Sequence, residues 1–156
     1  MIKYRQTGIA INEDLYKENT MTSRFKNRPP LPKLVHGQPT EWHWVVYHPK
    51  NLVLSDETDI GCFTSIHAQH GVVIEDEVQI GSHCSIYSMS SISVSGEPVV
   101  GKVTIKKGAS VGSHSTVMPG VTIGEGAVVG AHSLVLTDIP AHCIAYGVPA
   151  KVVKQL

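Results

Sequence analysis

Residues 99–136 read VVGKVTIKKGASVGSHSTVMPGVTIGEGAVVGAHSLVL, and a branched aliphatic residue returns at every sixth position: Val99, Ile105, Val111, Val117, Ile123, Val129 and Val135. Val, Ile and Leu make up about a quarter of the chain, so seven consecutive hits in one frame arise by chance about once in ten thousand tries. Six is a multiple of two and not of 3.6. The repeated residue therefore always faces the same side of a strand, whereas it would wander around a helix. Each hexad carries a second small or apolar residue four places on (Ala109, Ser115, Val121, Ala127, Ser133), and Gly112, Gly124 and Gly130 directly follow the aliphatic residue. A glycine turns tightly, and a small residue beside each large one lets a narrow coil close. No single hexad can bury its own face, so stability must come from stacking successive coils. The stretch predicts a β-helix of short strands and corners.

Carried backwards, the frame passes through Ile92, Ile86, Ile80 and Ile74, then Ile66, Ile60 and Leu54. Two extra residues fall between Ile66 and Ile74 and one between Ile92 and Val99. Small loops are therefore expected near Gln69–Gly71 and Gly96–Pro98, and loops on a rigid scaffold are where sites tend to sit. With three hexads per triangular turn, the fourteen hexads make four to five coils, stacked about 4.8 Å apart.

The frame divides the 156-residue chain into an irregular N-terminal extension (1–50), the β-helix (51–138) and a C-terminal cap (139–156). Within the extension, Ile11 to Asn19 suits one short helix, and Pro29, Pro30 and Pro32 then exclude regular structure. The aromatic segment Trp42-His43-Trp44-Val-Val-Tyr47 suits a plug for the open lower end of the prism, with a substrate wall as the alternative. Pro140 and Pro149 break regular pairing in the cap. Thirteen basic residues balance thirteen acidic ones, which argues against a nucleic-acid or anionic-membrane partner. No signal-like or membrane-spanning apolar run occurs, so the chain is read as soluble and cytoplasmic, without membrane insertion. Cys62, Cys84 and Cys143 are odd in number and lack CxxC spacing, as expected of reduced lattice residues.

The run Val111 to Val135, with its Pro119-Gly-Val-Thr-Ile-Gly124 core, then Asp138-Ile-Pro and Tyr146-Gly-Val-Pro-Ala-Lys151, resembles the C-terminal signature of the hexapeptide-repeat acyltransferases that use acetyl-CoA. The resemblance spans about residues 52–156. It implies a left-handed β-helix, a homotrimer with active sites between neighbouring prisms, and acetyl-CoA as co-substrate with no metal. In the galactoside and maltose acetyltransferase branch the coenzyme lies along a corner against small residues of successive coils. Those positions here are Ser113 and Ala131, with Thr137 at the next edge, and the coenzyme's phosphate end would meet Lys151 and Lys154.

Acyl transfer from a thioester needs a base for the proton of the attacking amine or hydroxyl, and histidine titrates in the right range. In the nucleotide amino-sugar N-acetyltransferases the catalytic histidine lies in a hexad whose register matches Ile80-Gly-Ser-His83-Cys84-Ser-Ile86. The resemblance therefore makes His83 the first candidate, although it falls one residue later at that corner. His114 is the second. His132 lies 18 residues beyond His114, so the two rings should stack, with His132 a corner residue or coenzyme contact. His67 and His70 flank the first loop and, with Tyr87, are expected to shape the acceptor site, either histidine being a further candidate base. The galactoside branch carries its catalytic histidine in a long loop after the hexad matching Ile86. Here Tyr87-Ser-Met-Ser-Ser-Ile92 stands instead, without a histidine.

The expected acceptor is a sugar or nucleotide sugar in surface-polysaccharide (lipopolysaccharide) biosynthesis, through the amino group of a nucleotide-linked amino sugar or, alternatively, a sugar hydroxyl. Direct attack on the thioester needs no nucleophilic residue, so Cys84 beside His83 is read as lattice and not as half of a Cys/His pair. The γ-class carbonic anhydrases use the same prism with three zinc-binding histidines. Their GHxxxxH spacing fails here, because Pro119 stands five places after His114. A non-catalytic trimeric scaffold is the remaining alternative.

Overall fold

The computed structural model describes residues 30–156, so the helix expected at Ile11 to Asn19 lies outside the described residues. The chain forms a left-handed parallel β-helix of about five coils. In chain order its strands are β1 (Val45–Tyr47), β2 (Leu52–Leu54), β3 (Asp59–Ile60), β4 (Ser65–His67), β5 (Val72–Ile74), β6 (Gln79–Ile80), β7 (Ser85–Tyr87), β8 (Met89–Ser90) and β9 (Val99–Val100). They continue with β10 (Val103–Ile105), β11 (Ser110–Val111), β12 (Thr116–Val117), β13 (Thr122–Ile123), β14 (Val128–Val129), β15 (Leu134–Val135), β16 (Cys143–Tyr146) and β17 (Lys151–Gln155). A single 3₁₀ turn is found among the described residues, Pro49–Asn51.

Three parallel sheets form the faces of the prism. The first stacks β1-β4-β7-β12-β15, the second β2-β5-β10-β13, and the third β3-β6-β11-β14-β16 with β17 added antiparallel at its end. The predicted aliphatic column faces inward: Ile66, Ile74, Ile86, Ile105, Val117, Ile123, Val129 and Val135 are buried, and so are their small partners Ala109, Ser115, Val121, Ala127 and Ser133. The two residues inserted between Ile66 and Ile74 lie in the corner that closes with Gly71 N–H donating to the Ala68 carbonyl.

Two sequence expectations need correction. Ile92 and Val99 fit the frame but are not core: Ile92 is 90% exposed and Val99 48%. After β7 the chain leaves the prism as a hairpin in which Met89 pairs with Val100 and Ser90 with Val99, antiparallel. It re-enters at Val103, whose register partner is Val72. These residues satisfy their backbone groups with one another, so nothing holds their side chains to the coil stack. The insertion is thus a whole hairpin, not the single-residue loop at Gly96–Pro98. At the other end, β1 pairs in register with β4, and Trp44 is 1% exposed inside the first coil. The Trp42–Tyr47 segment therefore supplies a strand and a buried indole at the lower end.

Glycines mark where coils approach most closely. A methyl group on Gly112 would stand 2.4 Å from Ala131 N in the next coil, a distance no real Cβ tolerates. Gly96, at the tip of the hairpin, has φ +78° and open space around it. Gly112→Ala should therefore cost about 1–3 kcal/mol and lower Tm by several degrees, against about 1 kcal/mol for the left-handed backbone alone at Gly96→Ala. Thermal unfolding of the two variants side by side measures the difference.

Candidate functional site

The first sheet has two edges, and the candidate residues divide between them. At the edge shared with the third sheet, the corners read Gly61-Cys-Phe63-Thr, Gly81-Ser-His83-Cys, Gly112-Ser-His114-Ser and Gly130-Ala-His132-Ser. The third residue of each adopts the left-handed conformation: φ is +61° at Phe63, +59° at His83, +61° at His114 and +56° at His132, with His43 at +62° one coil below. Histidine is among the residues enriched in that region. The rings then stack as a ladder, with centroids 5.6 Å apart for His43–Phe63, 5.0 Å for Phe63–His83, and 4.7 Å for both His83–His114 and His114–His132. Ser113 and Ala131 precede His114 and His132 in consecutive coils, as expected, and Ala131 is exposed.

Beneath the ladder runs a buried column of small polar residues. Thr64 Oγ1 donates to the Gly81 carbonyl (2.9 Å), Cys84 Sγ to that of Gly112 (3.2 Å) and Ser115 Oγ to that of Gly130 (3.0 Å). Each thus ties its own coil to the glycine of the next. Cys84 occupies a hydroxyl's place in this series, and burial pushes its thiol above the usual range, which disfavours the thiolate a nucleophile needs. The lattice role read from its spacing is the role the hydrogen bond gives it.

At the opposite edge, shared with the second sheet, a second ladder forms. Tyr47, His67 and Tyr87 pair in register on β1, β4 and β7, and their rings stack at 4.4 Å (Tyr47–His67) and 4.7 Å (His67–Tyr87). His36 meets Tyr47 and His48 edge-on and accepts the His48 backbone N–H at Nδ1 (3.1 Å). This ladder lines a cavity of about 740 Å³, walled also by Gln69, by Met89 and Ile92 of the hairpin, and by Met118 one coil above. His67 is half-buried there. Burial first, and the neighbouring His48 second, lower its pKa below the ordinary imidazole value.

His70 and Tyr87, expected to accompany His67, are placed differently. Tyr87 lines the cavity, whereas His70 is exposed outside its lining. Buried Ser88 accepts the His70 backbone N–H (2.9 Å) and donates to the His67 carbonyl (2.7 Å), which fixes this corner. Thr137 lies on the same edge two coils above Tyr87, so it does not share an edge with Ser113 and Ala131. Lys151 and Lys154 are exposed on β17, opposite Tyr146 and Ile144. Sequence reasoning did not assemble Tyr47, Met89 and Met118 with His67; the signal was the recurrence of an aromatic ring every twenty residues, at 47, 67 and 87. Among the described residues no group of three or more His, Cys, Asp or Glu gathers as around a metal ion, and no helix is long and apolar enough to cross a membrane.

Residues 102–137 match the family model for the bacterial transferase hexapeptide (six repeats). No curated protein sequence matches the chain. Among solved structures, the chain is similar to the hexapeptide-repeat acetyltransferase VCA0836 of Vibrio cholerae, with 26% identity and a TM-score of 0.66 over 72% of this chain and 66% of that one. Its complex with acetyl coenzyme A gives 26% and 0.68 over 72% and 64%. The chain thus spans slightly under two thirds of the VCA0836 chains. NeuO, a polySia-specific acetyltransferase, is 25% identical with a TM-score of 0.62, over 67% of this chain and 48% of that one. AntD, an N-acyltransferase from Bacillus cereus solved with dTDP-4-amino-4,6-dideoxyglucose and coenzyme A, shares the fold at 24% identity and a TM-score of 0.63, over 74% and 78%.

Two predictions follow from the edges. Cys84→Ser keeps the donor to Gly112 and should leave Tm within about 2 °C, whereas Cys84→Val strands that carbonyl and should cost about 1–3 kcal/mol. Because His67 binds a proton less readily folded than unfolded, the unfolded chain takes up more protons as pH falls, so stability present above the ordinary imidazole pKa is lost below it. Between about pH 7.5 and 5.5 the Tm of the wild type should fall further than that of His67→Asn, as calorimetric melts at the two pH values would record.

Proposed function

We propose that the chain, whose residues 102–137 match the hexapeptide transferase model, is an acetyl-CoA-dependent acetyltransferase whose acceptor is a sugar. The observation that carries the reading is the open edge of small residues that rises toward two cations. Ser113 and Ala131 follow one another in consecutive coils, the Cβ of Tyr146 closes over Gly130, and Lys151 pairs with Tyr146. A pantetheine arm lying along that edge meets no bulky side chain at either position, and its phosphates reach Lys151 and Lys154. Thr137 belongs to the next edge and contacts the coenzyme only if the arm crosses the face between them. The acetyl-CoA complex of VCA0836 supports the choice of co-substrate.

The preferred acceptor is the amino group of a nucleotide-linked amino sugar, supported by the register of His83 and by the dTDP-amino sugar bound to AntD. Oxygen acetylation of a saccharide is the second reading, supported by the likeness to NeuO. Either reaction needs a proton acceptor. The histidines that offer one are His83 and His114 at the coenzyme edge and His67 at the cavity. A flat-faced prism does not enclose a coenzyme by itself, so the working form is a homotrimer with the coenzyme between neighbouring prisms. A nucleotide-sugar acceptor places the enzyme in the cytoplasm, in the synthesis of surface polysaccharide.

Calorimetric titration of the wild type with acetyl-CoA should give saturable binding, with thiol release when an acceptor is added. Ser113→Trp should abolish that binding without changing Tm by more than a few degrees, and Lys151→Glu should weaken it by about fivefold or more. Absence of saturable binding in the wild type would refute the proposal.

A further inference from the structure

The two edges of the first sheet present histidines for different physical reasons. At the coenzyme edge, every ring from His43 to His132 belongs to a corner residue in the left-handed conformation, and each stacks on the ring of the next coil. Backbone geometry and stacking account for the whole column, and the rings of His83 and His114 are exposed. His67 is another case. It lies within a regular strand, where any outward-facing residue would serve, and it half-buries an imidazole between two tyrosines.

Burial of a titratable ring costs free energy, and the stacking it makes with Tyr47 and Tyr87 would be supplied equally by a ring that does not titrate, such as phenylalanine. The ring borders a cavity whose volume of about 740 Å³ lies within the range of small-molecule sites. The hairpin forms one wall, and the hairpin exists because the chain departs from the repeat at this corner. A departure of that size needs an explanation beyond coil stacking.

We propose that this cavity holds the acceptor sugar and that His67 takes the proton from the acceptor's attacking nitrogen or oxygen. The proposal rests on the acetyltransferase reading above. The acceptor's lone pair forms a bond to the thioester carbonyl carbon, and the tetrahedral intermediate collapses with cleavage of the carbon–sulfur bond. The proton released by the acceptor passes to the His67 imidazole and from there to the departing coenzyme thiolate. The products are the acetylated sugar and free coenzyme thiol. The ring is poised for this, since burial favours its neutral, proton-accepting form. The titratable groups facing it are Tyr47 from β1, Tyr87 from β7 and His48 beyond β1. Within one subunit His83 lies at the corner before β7 and Tyr87 at the far end of that strand, so one acceptor atom does not touch both edges.

The test uses the full-length chain, acetyl-CoA, and dTDP-4-amino-4,6-dideoxyglucose, methyl glycosides and oligosialic acid as acceptor probes, with thiol release as readout. His67→Asn and His67→Gln should bind acetyl-CoA with Kd within about twofold of wild type by calorimetry and lose about 10² or more in kcat. The rise of kcat/KM with pH below neutrality should vanish with them. A second variant, Ser90→Trp, fills the cavity from the hairpin and should raise the acceptor KM while leaving the acetyl-CoA Kd unchanged. Wild-type turnover in folded His67→Asn, or loss of turnover confined to His83→Asn or His114→Asn, overturns the assignment but leaves the acetyltransferase reading intact. A wild type that neither binds acetyl-CoA nor releases thiol with any probe overturns both.

Discussion

The parallel backbone hydrogen bonds between coils are the constraint on which the rest of this structure depends. From β1 to β15 every strand is two or three residues long, and those inside the stack are bonded to the coils above and below, so no strand is stable without its neighbours. This geometry fixes every side chain into a vertical column at the spacing of the sheet ladder, about 4.8 Å. A column must therefore hold residues that tolerate their own kind as neighbours. Aliphatic side chains do so inside the prism, and flat rings do so outside it, at centroid separations of 4.4 to 5.6 Å along the two edges. Where backbones approach most closely the column must be glycine, as at Gly112.

This constraint explains what the sequence disclosed and what it concealed. From Val103 onward the coils are close to 18 residues each, so the period was legible along with the buried face, the small inner partners and the stacking of His114 on His132. Below that the coils take 20 residues, so the six-residue frame holds there only with inserted residues, although it still places Ile66, Ile74, Ile80 and Ile86 in the core. The hairpin was concealed for a specific reason. Ile92 and Val99 happen to keep the six-residue spacing through a segment that has left the coil, and hydrophobic period alone does not distinguish a strand paired to the next coil from one paired to itself. The Ser and Gly residues of Ser93–Gly96 were the competing signal, since they suit the tip of an antiparallel hairpin better than a prism corner.

The candidate residues were partly legible for the same reason. Ser113 with Ala131, and His114 with His132, repeat at the regular period, and column neighbours can be read off any regular period. Tyr47, His67 and Tyr87 repeat at twenty, a period that belongs to the lower coils alone, so their shared column emerges once the coils have been counted in three dimensions. Met89, Ile92 and Met118 come to the cavity from the hairpin and from the coil above it. No periodicity connects them, because the hairpin sets their relation.

A regular β-helix is poor material for an acceptor site. Its faces are flat, its corners are tight, and its interior is filled by the aliphatic columns, so a concavity requires an interruption of the repeat. In this chain the longest interruption within the prism lies between β7 and β10, on the edge where His67 and Tyr87 stand. The coenzyme site proposed above needs the opposite, a long, smooth edge with small residues in register, and the uninterrupted upper coils carry such residues at Ser113 and Ala131. The two requirements cannot be met at one corner. On the proposed reading the two sites lie on the two edges of a single sheet, and a reaction between their ligands takes place across that face or across the boundary with a neighbouring copy. An acyl arm long enough to span several strand residues would reconcile that separation with direct transfer, and the proposal then puts the chemistry at the cavity end of the arm and not beside the exposed ladder.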